Sequence, residues 1–368
     1  MNLVGQLAPY ETEVAGAPNA EFTVAPPSVE DAARILDLAC ERGLRVLTWG
    51  GGTHQGYGYG VDPDVVLSTH RLDRLIDWSP DDLVAVVEAG VKVSTLEERL
   101  AEKGQSAILS EIPGGATVGG SIAAGISGWR RLRYGPIRDR ILEATVATGD
   151  GRVIRAGGRV VKNATGYDIP RLMTGSLGSL GVIGSVALKL WPVALHAATV
   201  TVEDPTLALA TAYRPIAVLE TNSASAVYLS GTDEALDEQI ASLDGTRADG
   251  HLWPDPLDHN TVLVMRVPSR HTAAAVTQVE DSWDFCAAHG VGEIRIGSNT
   301  ASSDDANRLR QWAEAHNGAL VVERLADDLR SGFDPWGTPP ATAGLQRRVK
   351  DAFDPVGVCN PGKLPGGV

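Results

Sequence analysis

The chain has 368 residues, 43% hydrophobic and 21% charged, which suits an ordinary packed globular protein of two domains. Thirty-two lysines and arginines against 46 aspartates and glutamates leave a net charge of −14, which argues against nucleic acid or an anionic membrane surface as the main partner. Three widely separated cysteines (Cys40, Cys286, Cys359) exclude a disulfide framework, a cysteine-rich zinc site and a self-supplied iron–sulfur cluster. No apolar run approaches the ~18–20 residues of a membrane span, and the first residues lack a secretory pattern, so the expected setting is the cytoplasm without membrane insertion.

In chain order, the first ~20 residues are expected to be loosely ordered. Residues 28–43 read as a helix: Ser28 as N-cap, Ala32, Ile35, Leu36 and Ala39 on one face, Gly43 as the stop. A buried strand over 44–49 runs straight into Gly50-Gly51-Gly52, and further strands are expected at 64–69 and 82–90, then a helix at 94–104. After Glu111, residues 112–128 are almost all small and uncharged. Two strands joined by a glycine-containing turn fill 141–157, and another strand covers 182–191, closed by Pro192. Of the 41 glycines, 27 lie in residues 1–184, so backbone that turns tightly or approaches something closely belongs to the first half. Beyond Pro192, strands and helices alternate, including a helix read over 271–290. The expected fold class is therefore α+β: a first domain over 1–192, a smaller α+β domain over 193–343 covering one of its faces, and a turn-rich segment, 344–368, that folds back.

The common nucleotide and hydrolase signatures GxGxxG, GxxxxGK[ST], HExxH and GxSxG are missing. In their place stand GGGTHQGYG and, sixty residues on, PGGATVGGSIAAGISG. Three glycines directly after a strand expose several backbone N–H groups as a nest for a phosphate, with Thr53 and Gln55 as added donors; a tight turn without a ligand is the plain alternative. Residues 117–125 have helical length, yet three glycines cost such a helix ~1 kcal/mol each relative to alanine. Either something flat lies against its backbone and a phosphate at its N-terminus, or it packs closely on a neighbour. Two such stretches together suggest a dinucleotide with a central diphosphate. Residues 130–162 hold nine basic and three acidic side chains, a local excess of six positive charges that could face a carboxylate or a phosphate, or serve as a docking surface.

GGGTHQGYG, PGGATVGGSIAAGISG, RLRYGPIRD, VVKNATGYDIPRLMTGSLGSLGVIGSVALKLWP and the tail DPVGVCNPGKL resemble the FAD-linked oxidases of the p-cresol methylhydroxylase and vanillyl-alcohol oxidase fold. The chain is most similar to the FAD-bearing E subunits of glycolate oxidases. The resemblance is dense over ~28–192, returns at 344–365, and is weak between. It implies a two-lobed FAD-binding domain with a cap.

It also implies site residues. Gly50, Gly51, Gly52, Thr53, His54 and Gln55 would wrap the FAD diphosphate. Pro113, Gly114, Thr117, Gly119, Gly120 and Ala124 would line the ring and ribityl side, Gly128, Tyr134 and Gly135 would follow the cofactor, and Val182, Ile183 and Asn360 would complete the contacts. Where some members attach FAD covalently through a histidine, this chain has Thr53, with His54 one residue later, so a non-covalent cofactor is expected. The histidine-rich HxGDGNxH segment of the stand-alone 2-hydroxy-acid dehydrogenases is missing here. Lys162, Asn163, Tyr167 and Asp168 are the candidate catalytic residues, Asp168 having a helix cap as its alternative, and Arg130 and Arg133, with Lys162, are candidates for holding a substrate carboxylate. No metal ligands are expected. The implied activity is oxidation of a small 2-hydroxy acid such as glycolate or D-lactate by hydride transfer to FAD, with electrons leaving to an iron–sulfur or second flavin subunit. The alternatives are a non-catalytic electron-transfer subunit and a sugar or alcohol oxidase that uses O2.

Overall fold

Short parallel strands open the fold. A computed structural model describes residues 3–109, 114–159, 167–330 and 332–367. Helix α1 (Leu3–Leu7) precedes β1 (Phe22–Val24), α2 (Val29–Arg42), β2 (Val46–Trp49) and β3 (Val65–Ser68), and the three strands pair in parallel in the order β1-β3-β2. Ser28 caps α2 by accepting from the Asp31 N–H, and Gly43 ends it at φ 65°. The apolar face of α2 buries Ala32, Ile35, Leu36 and Ala39 against these strands. Truncating Leu36, fully buried there, should cost about 2–5 kcal/mol. Ahead of β1, where the sequence suggests little order, Leu7 is 1% exposed and the Tyr10 hydroxyl donates to Asp31 at 2.8 Å.

A second sheet follows: β4 (Leu75–Ser79), β5 (Val84–Glu88), then α3 (Val93–Ala101), β6 (Gln105–Ser106), α4 (Val118–Ala124) and α5 (Arg131–Tyr134), then β7 (Ile141–Ala147), β8 (Val153–Gly157), α6 (Ile169–Met173) and β9 (Val182–Lys189). Its five strands are antiparallel in the order β4-β5-β9-β7-β8, and α3 and α4 pack their apolar residues onto it. The short β10 (Trp191–Pro192) pairs with β6.

The third sheet has eight antiparallel strands, in the order β14-β11-β13-β12-β16-β17-β15-β18. They are β11 (His196–Val202), β12 (Ala217–Thr221), β13 (Ser225–Gly231), β14 (Gly245–Asp249), β15 (Thr261–Arg266), β16 (Asp284–Ala288), β17 (Glu293–Ser298) and β18 (Ala319–Arg324). Helices α7 (Pro205–Thr211), α8 (Asp233–Ser242), α9 (Thr272–Val276) and α10 (Ser303–Ala315) accompany it. The helix read over 271–290 is corrected here: only Thr272–Val276 is α-helical, and Asp284–Ala288 is a strand between β12 and β17. Alanine and cysteine made that stretch look helical, but pairing on both edges overrides a weak propensity.

Helix α11 (Ala343–Phe353) leads the tail back to the first sheet. Lys350 and Asp354 form a buried ion pair at 2.5 Å; the lysine also donates to the carbonyls of Ser179 and Cys359, and the carboxylate accepts from the N–H groups of Gly357, Val358 and Cys359. Charges this deep are tolerated because such further hydrogen bonds satisfy them. Beyond them, Val46 N–H donates to Val358 O and Asn360 N–H to Val46 O, so the tail runs along β2. The whole is an α+β fold.

Candidate functional site

The two glycine stretches meet. A Cβ on Gly51 would lie 1.8 Å from the Gly115 carbonyl oxygen and one on Gly50 2.4 Å from Thr117 Oγ1, so these glycines let one loop pass over the other. Gly119 serves packing too, since its Cβ would sit 2.5 Å from that of Ala89 on the other side. Gly120 differs: only the Thr117 hydroxyl stands within 4 Å of the missing Cβ, and the residue lines a cleft.

That cleft has a volume of about 640 Å³ including its open side and is bounded by Thr48, Gly50 to Gln55, Gly119, Gly120, Ala123, Ala124, Ile183, Asn360 and Lys363, among others. Asn360 reaches it from the tail, accepting from the Thr48 N–H at 2.8 Å and donating to Leu177 O at 2.6 Å. Lys363 donates to the Gln55 carbonyl at 2.7 Å, and burial pushes its amine down to about 8. Gln55 in turn donates to Thr48 O, 3.1 Å away, which braces the loop from inside.

Among the described residues, the backbone N–H groups of Gly51, Gly52, Thr53 and His54 have no protein acceptor, and Thr48 Oγ1 is buried without a partner. Both ring nitrogens of His54 are also buried and unpartnered. Burial, and then the nearby Arg295 charge, push this histidine down to about 4, so it is neutral at physiological pH. Buried donors and acceptors left unmade in this way are costly unless a ligand completes them. The helix α4 contributes less than its sequence suggests. Its first N–H groups are already spent, Val118 on Val91 O, Gly119 on Ala89 O and Gly120 on Thr117 Oγ1, so it offers the cleft a bare glycine surface rather than phosphate donors.

The other positions singled out in the sequence are dispersed. Gly128 lines a second void, described below. Gly114 sits at φ 86° beside the loop crossing, Val182 is fully buried behind the cleft, Tyr134 packs edge-on against Trp191, and the Gly135 carbonyl accepts from buried Arg140 at 2.6 Å. Tyr167 is 85% exposed, and Asp168 caps α6 by accepting from the Arg171 N–H. Arg130 donates to Leu109 O at 3.0 Å, and Arg133 lines neither void. Pro113, Lys162 and Asn163 lie outside the described residues. Of the basic residues in 130–162, Arg152 pairs with Asp150, Arg155 with Glu143 and Arg159 with Asp77, while Arg131 reaches Glu293.

The second void shares Thr53 and His54 with the first and extends to the eight-stranded sheet, with a volume of about 1130 Å³ including its open side. Its floor is a charge cluster that local sequence reading missed. Arg295 pairs with Glu323 and lies 3.9 Å from Glu293; Glu293 is also held by Arg266 at 3.0 Å and Arg131 at 3.5 Å, and the Tyr57 hydroxyl donates to Glu323 at 3.2 Å. Burial alone would lower Arg295, but Tyr57, Glu323 and Glu293 hold it above its ordinary value; burial would raise Glu293, but Arg266 and Arg295 hold it below. Glu293, Arg295 and Glu323 face the void, whereas Arg131 and Arg266 join the cluster from a neighbouring cavity that they line with Tyr57; the cluster as a whole sets three guanidiniums against two carboxylates, and Asp255 and the Arg324–Asp258 pair stand at the exposed rim. One signal was readable: in EIRIG, Ile294 and Ile296 face the core while Glu293 and Arg295 share the opposite face.

Comparison with known proteins agrees with this geometry. The family model for the FAD binding domain matches residues 20–157, and that for the C-terminal domain of FAD linked oxidases matches 336–364. The two matched stretches are thus similar to the FAD-linked oxidases. FAD is its cofactor, and the first cleft, with its free N–H groups, its bare Gly120 and its unpartnered His54 and Thr48, fits that group. A D-lactate dehydrogenase from Archaeoglobus fulgidus is 35% identical over 203 residues, 54% of this chain and 45% of that one, so the match spans less than half of the relative's length. The glycolate oxidase subunit GlcE of Escherichia coli is 27% identical over 79% of this chain and 84% of its own length. Among solved structures, alkyldihydroxyacetonephosphate synthase superposes with a TM-score of 0.67 at 15% identity, over 95% of this chain and 77% of that one, which is a likeness of fold.

Proposed function

We propose that this chain binds FAD non-covalently and oxidises a 2-hydroxy acid whose carboxylate is held by Arg295, passing the electrons to a partner protein. The observation that carries the reading is the Arg295 guanidinium on the floor of a void that shares Thr53 and His54 with the cofactor cleft, in a buried cluster where three guanidiniums face two carboxylates. A buried carboxylate needs such a partner, because an unpaired one is very costly. Bound FAD would supply the two-electron acceptor for the hydride of the carbinol C–H, with the hydroxyl proton passing to solvent and the acid leaving as a 2-oxo acid. His54, neutral beside Arg295, is placed to accept a hydrogen bond without adding a second cation. The names of the relatives, D-lactate dehydrogenase and a glycolate oxidase subunit, support a 2-hydroxy acid, and the second supports a partner, whether an iron–sulfur or a second flavin subunit. Among the described residues no helix is long and apolar enough to cross a membrane.

Anaerobic bleaching of the flavin by a panel of 2-hydroxy acids tests this directly. Arg295→Lys should raise KM and leave the flavin spectrum unchanged, since it keeps the charge that Glu323 needs and loses the fork that grips a carboxylate. A second reading, a flavin relay subunit without its own substrate, is favoured by the missing HxGDGNxH segment and by the resemblance to subunit GlcE along most of its length. No bleaching by any hydroxy acid, with reduction by a partner flavoprotein instead, would establish that reading. Flavin retained through acid denaturation would exclude the non-covalent part.

A further inference from the structure

We infer that the acid taken by the second void carries a large apolar substituent on its carbinol carbon, in place of the hydrogen of glycolate or the methyl of lactate; this rests on the 2-hydroxy-acid reading above. Its walls are Trp129 and Ile126 from the segment after α4, and Trp253, Pro254, Leu257 and Val262 from the eight-stranded sheet and the loop leading into β15. The space inside it open to a water-sized group is about 270 Å³, just short of the roughly 300–1,000 Å³ of pockets that bury drug-sized ligands and well beyond what a methyl or a hydrogen would fill.

The apolar wall is held in place. Trp253 stacks on Tyr228 with ring centres 4.3 Å apart and planes 14° from parallel. The Tyr228 hydroxyl donates to Leu252 O at 2.9 Å, and Thr199 Oγ1 donates to Gly250 O and accepts from the Leu252 N–H. An indole stacked on Tyr228 and anchored through the residues just before it lines the space instead of collapsing into it. A two- or three-carbon acid on Arg295 would leave both tryptophans wet and gain nothing from them. An alkyl or aryl substituent would cover them and dry the Arg295 end, where the ion pair strengthens as water leaves.

The test uses the full chain loaded with FAD. Straight-chain carboxylates from acetate to decanoate, which lack the hydroxyl and cannot be oxidised, are titrated by tryptophan fluorescence and thermal shift. The matching 2-hydroxy acids, with phenyllactate, are then tried in anaerobic flavin bleaching. The expected result is binding tighter by about three- to fourfold per added methylene, a KM series that follows it, and a flattened series in Trp253→Ala with flavin content unchanged. Bleaching by hydroxy acids with no dependence on chain length overturns this inference and leaves the oxidation reading standing. A steep carboxylate series with no bleaching supports the apolar-acid site and removes the oxidation reading. Absence of any carboxylate binding overturns the inference, and because the series on the unaltered protein decides it, a misfolded Trp253→Ala does not matter.

Discussion

The cofactor cleft and the neighbouring void are built by opposite means. The cleft is made of backbone: bare N–H groups at Gly51 to His54, a glycine surface at Gly120, and loops that cross only because Gly50 and Gly51 lack side chains. The void is made of side chains: Glu293, Arg295 and Glu323 from different strands, backed by Arg131 and Arg266, with Trp129 and Trp253 in its walls. A backbone site demands glycine at set positions and leaves a local imprint in the sequence. A side-chain site can be assembled from any strands that the sheet order brings together, and leaves almost none.

The sharpest way to break this contrast is Gly51→Ala. Its methyl would run into the Gly115 carbonyl, so both the loop crossing and FAD binding should fail, with stability down by about 1–3 kcal/mol or more; unchanged flavin content and melting temperature would show that the loops can part freely. Gly120→Val should separate the two roles of the glycines. Its side chain enters the cleft and disturbs only the Thr117 cap, worth about 1 kcal/mol, so FAD affinity should fall a hundredfold or more while the apo-protein melts within a few degrees of the parent. Equal FAD affinity would mean that α4 carries its glycines for packing alone.

On the other side of the contrast, Arg295→Lys should raise KM for the acid by roughly tenfold, whereas methionine there would also destabilise the fold by about 3–5 kcal/mol by stranding Glu323. The smallest effect concerns pH. His54 is held neutral down to about 4 in the fold but ionises at its ordinary 6.5 once unfolded, so the unfolded chain binds the extra proton and stability should fall as pH drops from 6.5 toward 4. In His54→Gln that part of the acid sensitivity should vanish from urea titrations of the apo-protein.

The sequence displays the parts whose logic is local. Helix α2 shows its cap, its apolar face and its glycine stop, and GGGTHQ shows a strand opening into a nest. Strand β16 was hidden because DFCAA has no pattern of its own and becomes a strand through β12 and β17 on either side. The basic run at 130–162 stands out by density, yet Arg152, Arg155 and Arg159 pair with carboxylates and Arg130 and Arg140 donate to backbone carbonyls. The cation at the void is Arg295, in a strand where no run of basic residues announces it.

The tail adds a consequence for how the protein is made. Asn360 pairs with Thr48 across 312 positions of chain, and Lys363 closes on Gln55 across 308. A nascent chain emerges in order, so the strands of the eight-stranded sheet are all translated before the residues that finish the cofactor cleft. The cradle should therefore become whole late in synthesis. FAD would then arrive at a protein that is nearly folded, and capture of the cofactor would report completed translation of the segment through Lys363.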